Sequence, residues 1–159
     1  MDFDSPIGIL AIQFTGACVS GLSFLDSMDV QSELESAQPE LERFRTQLQN
    51  YFAAVPRGFN LPLQLKGTDF QQRVWAALQQ IPMGEVRTYG QLAEQLHSSA
   101  RAVGNACRHN PVPLIVPCHR VVSARGLGGF CGRTDGPEVR RKHWLLSHEG
   151  IEFAMPDVA

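Results

Sequence analysis

The sequence of 159 residues lacks any uninterrupted apolar run of the length, about 20 residues, that a membrane-spanning helix requires. Its first residues, Met1-Asp2-Phe3-Asp4, are acidic, whereas a secretion signal begins with basic residues followed by an apolar stretch. These two absences predict a protein that has no membrane partner. We expect it in the cytoplasm, or in the nucleus if its source is a eukaryote.

Cysteine is scarce and irregularly spaced. The chain has 4 cysteines, Cys18, Cys107, Cys118 and Cys131, and no two of them form a Cys-x-x-Cys pair. This spacing argues against a zinc ribbon and against a thioredoxin-like redox motif, so we expect no metal site. In a reducing compartment the cysteines should be free thiols.

Basic residues are few in the first part of the chain and concentrated in the second. Residues 1–65 contain 3 Lys or Arg against 8 Asp or Glu, whereas residues 66–150 contain 11 against 6. The overall isoelectric point of about 6.2 argues against nonspecific binding to polyanions. The basic second part still permits a local contact with phosphates.

The first part of the chain predicts a small sheet covered by one helix. Residues 5–25 form two strands joined near Gly16, and residues 59–65, in which apolar residues alternate, are the expected third strand. Apolar residues at helical spacing predict a helix over residues 39–54. Nothing in this part looks catalytic, and Cys18 is interpreted as a small core residue.

The second part predicts a series of helices, each preceded by a residue whose side-chain oxygen can cap the first turn. They run from Thr68 or Asp69 to Gln80, over 89–96 after Thr88, and over 100–108 after Ser98 or Ser99. The last two are typical of a helix-turn-helix. The third helix is rich in small residues, so it can lie close to DNA but offers almost no long side chain to read bases.

A final helix is predicted over residues 138–149, followed by Gly150 as its stop. Its expected core residues are Val139, Trp144, Leu145 and Leu146. Before it, residues 123–132 contain four glycines and predict a loop that closely approaches another group.

Residues 114–122 place a thiol and an imidazole, Cys118 and His119, inside an apolar stretch. A thiol becomes a good nucleophile when a neighbouring base raises its thiolate fraction. Adjacent side chains of an extended strand point to opposite faces, so either the chain bends at Cys118 or a water carries the proton. A buried structural cysteine beside a hydrogen-bonded histidine is the alternative for such a pair taken alone.

Several motifs together resemble the O6-alkylguanine-DNA alkyltransferase family, also called methylated-DNA–protein-cysteine methyltransferases. The resemblance covers residues 5–153. Its motifs are Gly67-Thr68-Asp69-Phe70-Gln71, Tyr89-Gly90-Gln91-Leu92-Ala93, Arg101-Ala102-Val103-Gly104, Asn110-Pro111-Val112-Pro113, Pro117-Cys118-His119-Arg120-Val121-Val122, Trp144-Leu145-Leu146 and His148-Glu149-Gly150.

The resemblance implies an α/β fold of two domains. Residues 1–65 would form a ribonuclease H-like domain, and residues 66–159 a mainly helical domain, winged helix-turn-helix-like, that binds DNA and carries the alkyl acceptor. The implied partner is double-stranded DNA carrying O6-alkylguanine, with O4-alkylthymine as a further substrate. The protein would act as a monomer without a cofactor, and the alkyl group would move irreversibly to the protein itself.

The resemblance also implies a role for individual residues. Cys118 would accept the alkyl group, with His119 as its base through a water and Glu149 orienting His119. Asn110 would form the turn beneath the site. Tyr89 would bind the guanine, and Arg101 would fill the stack when the base rotates out. The remaining substrate or DNA contacts would be Ala102, Gly104, Cys107, Arg108, Val121, Phe130 and Cys131.

Two departures from the family pattern lie beside the expected pocket. Phe130-Cys131 stands where the family usually has Tyr and a small residue, and residues 133–137 lengthen the connection to the last helix. They predict a more mobile and more open pocket wall that accepts large O6-adducts such as benzyl.

Three other functions compete with alkyl transfer. A non-catalytic alkyltransferase-like lesion binder lacks the acceptor cysteine, which is present here as Cys118. A sequence-specific helix-turn-helix regulator is disfavoured by the third helix, which has few side chains that read bases. A cysteine hydrolase would need an oxyanion hole and repeated turnover.

Overall fold

The structure is a computed structural model that describes residues 1–25, 39–54, 58–130 and 136–153. The chain is a mixed α/β protein with a small sheet and several helices, and its contacts divide it into two compact units, Met1–Lys66 and Gly67–Ala159. Within the described residues, every helix is too short or too polar to cross a membrane.

The first unit is built on a three-stranded antiparallel sheet. Its strands are β1 (Asp2–Ser5), β2 (Gly8–Thr15) and β3 (Cys18–Leu25), in the order β1-β2-β3. The predicted turn between β2 and β3 is confirmed, and Gly16 occupies it with φ of 62°, a left-handed conformation that favours glycine. A β-bulge shifts the register at Gln13 and Phe14.

The prediction that residues 59–65 form the third strand is only partly right. They make a single parallel bridge from Leu63 to Val19, in which the Val19 amide donates to the Pro62 carbonyl at 2.9 Å. Proline has no N–H to extend such a ladder, and the short β1 takes the third position in the sheet instead.

One helix, α1 (Pro39–Phe52), accompanies this sheet, as predicted, and ends two residues before the expected boundary. Phe44, Leu48 and Tyr51 are buried at helical spacing. Phe44 meets the ring of Phe14 edge-on, with the ring centroids 5.9 Å apart. Cys18 is half-buried, so it is not the core residue that the sequence predicted.

The second unit begins with three helices that confirm the predicted capping residues. They are α2 (Asp69–Gln79), α3 (Tyr89–Gln95) and α4 (Ala100–Arg108). Thr68 and Thr88 each form a reciprocal capping box, with Gln71 and Gln91 respectively, while the Ser99 hydroxyl accepts from the Ala102 amide.

Long-range contacts hold these helices beside the Cys118 segment. The buried indole of Trp75 in α2 donates to the Ala106 carbonyl of α4 at 2.9 Å. Two short strands, β4 (Arg87–Thr88) and β5 (Val121–Val122), pair in parallel. Because α3 starts directly after β4, this pairing brings the first residue of α3 next to the segment after Cys118.

The last helix, α5 (Pro137–His148), covers β5 through Val139 and Leu146, which share a buried cluster with Val122 and Leu127. Gly150 ends the helix region with φ of 89°. The prediction of Trp144 as a core residue is wrong, because its ring is half-buried and stacks on His148. Lys142 is buried on the apolar face of α5 instead.

Candidate active site

A tight turn held by Asn110 delivers the chain to Cys118. The Asn110 side chain accepts from the Val112 amide at 3.0 Å and donates to the Val116 carbonyl at 2.8 Å. One amide therefore holds both ends of the turn. Within it, Leu114 is buried at φ of 77°, a left-handed conformation that costs a leucine free energy and that surrounding packing has to maintain.

The chain bends at Cys118 itself. Residues 112–119 are all buried, and Cys118–Arg120 form one turn of 3-10 helix, closed by the Val121 amide donating to the Cys118 carbonyl. The first of the two predicted alternatives, a bend of the chain at Cys118, is therefore present. The bend alone does not join thiol to imidazole, since within the described residues the buried His119 Nδ1 has no hydrogen-bond partner.

Glu149 anchors the other side of the imidazole. Its carboxylate accepts from His119 Nε2 at 2.7 Å and from two nitrogens of Arg120, Nε at 2.8 Å and Nη2 at 3.1 Å. Arg120 also donates to the Ile81 carbonyl at 2.7 Å. The His119 and Glu149 side chains have no exposed surface, so water does not weaken these interactions.

This network sets the charges of both residues. Burial favours a protonated Glu149, but the hydrogen bond from His119 and the Arg120 charge outweigh it and lower the pKa of Glu149 to about 2. Burial lowers the pKa of His119 despite the neighbouring carboxylate. A neutral imidazole that donates from Nε2 to Glu149 has its lone pair on Nδ1. His119 can therefore accept a proton on that nitrogen.

The thiols near the site are protonated at rest. Burial raises the pKa of Cys118, while a hydrogen bond from Asn110 and the positive charge of Lys142 act in the opposite direction. Burial, with a smaller effect from Cys118, raises the pKa of Cys107 in α4 to about 12. A base is therefore needed to produce the Cys118 thiolate at neutral pH.

Tyr89 lies at the start of α3 with its ring between two glycines. A methyl group added at Gly104 would meet the ring at 3.9 Å, and one added at Gly128 would come within 3.3 Å of it. Burial, with smaller effects from Cys107 and Cys118, raises the pKa of the Tyr89 phenol. The hydroxyl thus stays protonated and can donate a hydrogen bond.

The predicted substrate and DNA residues fall into two groups. On α4, Arg101 and Arg108 are exposed, Ala102 and Gly104 are half-buried, and Cys107 is buried. Val121 and Phe130 are buried. Cys131 and residues 133–135 of the longer connection to α5 lie outside the described residues.

The sequence of the second unit matches a known protein family. Residues 69–151 match the model of the 6-O-methylguanine DNA methyltransferase DNA-binding domain. The chain belongs to the 6-O-methylguanine DNA methyltransferase family. The resemblance drawn from the sequence motifs is thereby confirmed, and the match covers the capped helices, the Cys118 turn and Glu149.

Relatives of this family match over most of the chain. The methylated-DNA–protein-cysteine methyltransferase of Mycobacterium bovis is 43% identical over 152 residues, 92% of this chain and 88% of the relative. The constitutive methylated-DNA–protein-cysteine methyltransferase of Bacillus subtilis is 38% identical, covering 94% of each chain. The crystal structure of Mycobacterium tuberculosis OGT in complex with DNA aligns with a TM-score of 0.79 at 41% identity, over 93% of this chain and 90% of that one.

Two residues of this family member were missed as site residues by the sequence reasoning. Arg120 belongs to the motif around Cys118 but had no predicted role, and no role was predicted for Lys142 either. A signal for Lys142 was present, because it lies three residues after Val139 and four before Leu146, on the apolar stripe of the predicted helix. No comparable signal pointed Arg120 toward Glu149, which lies 29 residues away.

Among the described residues no group of three or more His, Cys, Asp or Glu is placed to hold a metal ion.

Proposed function

We propose that this protein repairs O6-alkylguanine in double-stranded DNA by transferring the alkyl group irreversibly to its own Cys118. One observation carries the proposal. Cys118 lies in a buried turn beside a neutral His119, whose Nε2 is bound to Glu149 and whose Nδ1 is left to accept a proton. This is the logic of a nucleophile, a base and an orienting carboxylate.

Transfer begins with proton movement from the Cys118 thiol to His119 Nδ1 through a bridging water. The hydrogen bond from Nε2 to Glu149 leaves Nδ1 as the nitrogen that accepts the proton, and it stabilises the imidazolium that forms. Arg120 holds the carboxylate in position through two hydrogen bonds. Asn110 holds the turn before Cys118 through its hydrogen bonds to Val112 and Val116.

The transfer itself is a displacement at the alkyl carbon. The thiolate sulfur forms a bond to that carbon, the bond from the carbon to guanine O6 breaks, and the electron pair stays on the guanine. The guanine regains one proton, which balances the proton taken up by His119. The protonated Tyr89 hydroxyl donates a hydrogen bond to the base as its charge develops. A thioether has no easy return path, so each molecule acts once.

Guanine O6 in a stacked duplex is out of reach of a buried thiol, so the nucleotide rotates out of the helix. We assign the DNA contact to α4, whose exposed side carries Arg101 and Arg108 while Ala102 and Gly104 allow close approach. Arg101, at the second position of α4, fills the vacated stack. In this proposal α3 and α4 act as the helix-turn-helix of a winged domain, and the first unit is ribonuclease H-like.

The further contacts in this proposal are Cys107, Val121 and Phe130, which line the pocket, together with Cys131. O4-alkylthymine is a second substrate. One chain carries the thiol, the base and the DNA-facing helix in a single unit, which supports action as a monomer. We place the protein in the cytoplasm, or in the nucleus of a eukaryote, where its DNA substrate is.

The alternative of a non-catalytic lesion binder is not favoured, because the thiol and its base are both present. An experiment tests this directly. One equivalent of duplex DNA containing O6-methylguanine should add one methyl group to the intact protein, and peptide mapping should find it on Cys118. Cys118→Ala should bind the DNA and accept nothing, whereas Cys107→Ser should still accept the methyl. Methyl on Cys107 or Cys131, or several turnovers per molecule, would contradict the proposal.

A further inference from the structure

Lys142 of α5 has no exposed surface, although it carries an ammonium group. Its neighbours on the same helix face, Val139, Leu145 and Leu146, are apolar and buried. Burying a charged group costs free energy unless hydrogen bonds compensate it. The contacts of the Lys142 ammonium group have to offset this cost, which an apolar residue at the same position would not incur.

The ammonium group of Lys142 connects the turn at Cys118–Arg120 to the glycine-rich loop that carries Gly128 and Gly129. Lys142 Nζ donates to the Val121 carbonyl at 2.6 Å and to the Gly129 carbonyl at 2.8 Å. Val121 is the residue whose amide closes the turn onto the Cys118 carbonyl. One side chain thus connects the backbone just after the thiol to the loop that precedes Phe130.

The same ammonium group lies beside Tyr89. Nζ is 5.9 Å from the centroid of the Tyr89 ring. A methyl group added at Gly128 would be 3.3 Å from that ring and 3.5 Å from Nζ, and Gly128 has φ of 76°. The loop can therefore approach the ring and the ammonium together only because residue 128 is a glycine.

Most other titratable groups around the Cys118 thiol contribute no net charge. Burial keeps the phenol of Tyr89 from α3 and the thiol of Cys107 from α4 protonated and neutral, and it keeps His119 neutral by lowering its pKa. The charges of Arg120 and Glu149 oppose each other within one ion pair. Among the described residues, a hydrogen bond from Asn110 and the positive charge of Lys142 both favour a thiolate at Cys118, and the Lys142 charge also acts on Cys107.

We propose that Lys142 is a positioning residue of the acceptor site, which fixes the Val121 and Gly129 carbonyls and stabilises the negative charge on Cys118 during transfer. The inference rests on the proposed function, since it concerns how the same thiol is prepared for the reaction. It differs in mechanism from His119, because Lys142 takes up no proton in the reaction and acts through its ammonium charge. Removing that charge should raise the pKa of Cys118.

The test compares two neutral variants with a matched control. Lys142→Gln keeps two N–H donors for the carbonyls, Lys142→Met keeps none, and Arg140→Met removes a charge from the exposed side of the same helix. Thiolate ultraviolet absorbance is titrated against pH, and the Cys118 signal is isolated by difference from the corresponding protein with Cys118→Ser. Transfer from free O6-benzylguanine is measured over the same pH range, and the melting temperature of each variant is recorded.

We expect the pH midpoint of Cys118 ionisation to rise by about one unit or more in both Lys142 variants, which is a tenfold loss of thiolate at a given pH. In Arg140→Met this midpoint should stay unchanged. Transfer by the Lys142 variants should recover as pH is raised. An unchanged midpoint with a lower melting temperature would show a merely structural lysine and overturn the proposal. If Lys142→Met does not fold, Lys142→Gln decides. The titration uses no alkylguanine, so failure of this proposal is distinct from failure of the wild type to transfer at all.

Discussion

Replacing Glu149 by glutamine removes one negative charge and changes almost nothing in shape. The carboxylate accepts three hydrogen bonds from His119 and Arg120 in a region where the two carboxylate oxygens have no exposed surface. Breaking a buried ion pair by neutralising one partner costs about 3–5 kcal/mol. The Arg120 side chain is 12% exposed and keeps some hydration, and glutamine still accepts one hydrogen bond, so the lower end applies.

The pKa of Glu149 gives an independent value for the free energy that its ionised form contributes to folding, and the two values are of the same size. A carboxyl whose pKa falls from 4.5 to about 2 on folding is held ionised by roughly 3 kcal/mol. We therefore expect Glu149→Gln to lower the free energy of unfolding by about 3 kcal/mol. Transfer should slow on the order of a hundredfold or more, because the imidazolium that forms on His119 loses the negative charge that stabilises it.

Urea denaturation and a single-turnover transfer assay measure the two effects. Glu138→Gln is the matched control, since Glu138 faces Arg141 at 3.8 Å on α5 with a side chain that is 30% exposed. A surface pair of this kind contributes about 0–1 kcal/mol. Equal destabilisation by the two substitutions would refute the assignment of Glu149 as the anchor. A normal transfer rate in a folded Glu149→Gln protein would refute the role of the Glu149 charge in the proton transfer to His119.

The other predictions concern pH, DNA and packing. The free energy of unfolding should fall as pH drops below about 6.5, because the unfolded chain then protonates His119, which stays neutral in the folded protein. It should fall again between pH 4.5 and about 2, where the unfolded chain protonates Glu149 and the folded protein does not. The second fall should vanish from denaturation curves of Glu149→Gln; its persistence would mean that another carboxyl causes it. Arg101→Ala should slow repair of duplex DNA far more than transfer from free O6-benzylguanine, and equal losses would count against a role in base rotation. Trp75→Phe should cost about 1–3 kcal/mol in urea denaturation, because it removes the indole hydrogen bond to the buried Ala106 carbonyl, which within the described residues keeps only the amide of His109 at 3.2 Å, and because the smaller ring leaves space in the core. A loss near zero would mean that the His109 amide alone satisfies the carbonyl.

The helices of the second unit could be predicted because their signals are local. A capping residue and the glutamine three positions later determine where α2 and α3 begin, and both lie within one turn of the sequence. The small sheet was harder. Pairing between β1 and β2 depends on contacts between strands, and the four residues of β1 have no clear alternating pattern of their own.

The site could be predicted only as a set of motifs. The residues Cys118 and His119 stand together in the chain, but the contact of His119 with Glu149 spans 30 residues and comes from tertiary packing. The bend at Cys118–Arg120 was one of two alternatives, since short apolar segments give no sign of a 3-10 turn. The left-handed conformation of Leu114 had no signal either, because leucine is not a residue that favours positive φ. The expectation of an open, mobile pocket wall stays a prediction, as it concerns residues 131–135.

The burial of Cys118 bears on how long an unused molecule survives. The thiol is 5% exposed and protonated at rest, so dissolved electrophiles and oxidants meet neither an accessible sulfur nor a thiolate. A protein that reacts once and is not regenerated loses its whole capacity to any such side reaction. Reactivity that arises only when an alkylated guanine occupies the site and His119 takes the proton spares the single reaction from most such encounters. On this view, the cellular supply of active protein is set by the number of lesions and by synthesis, and background alkylation by small molecules contributes little.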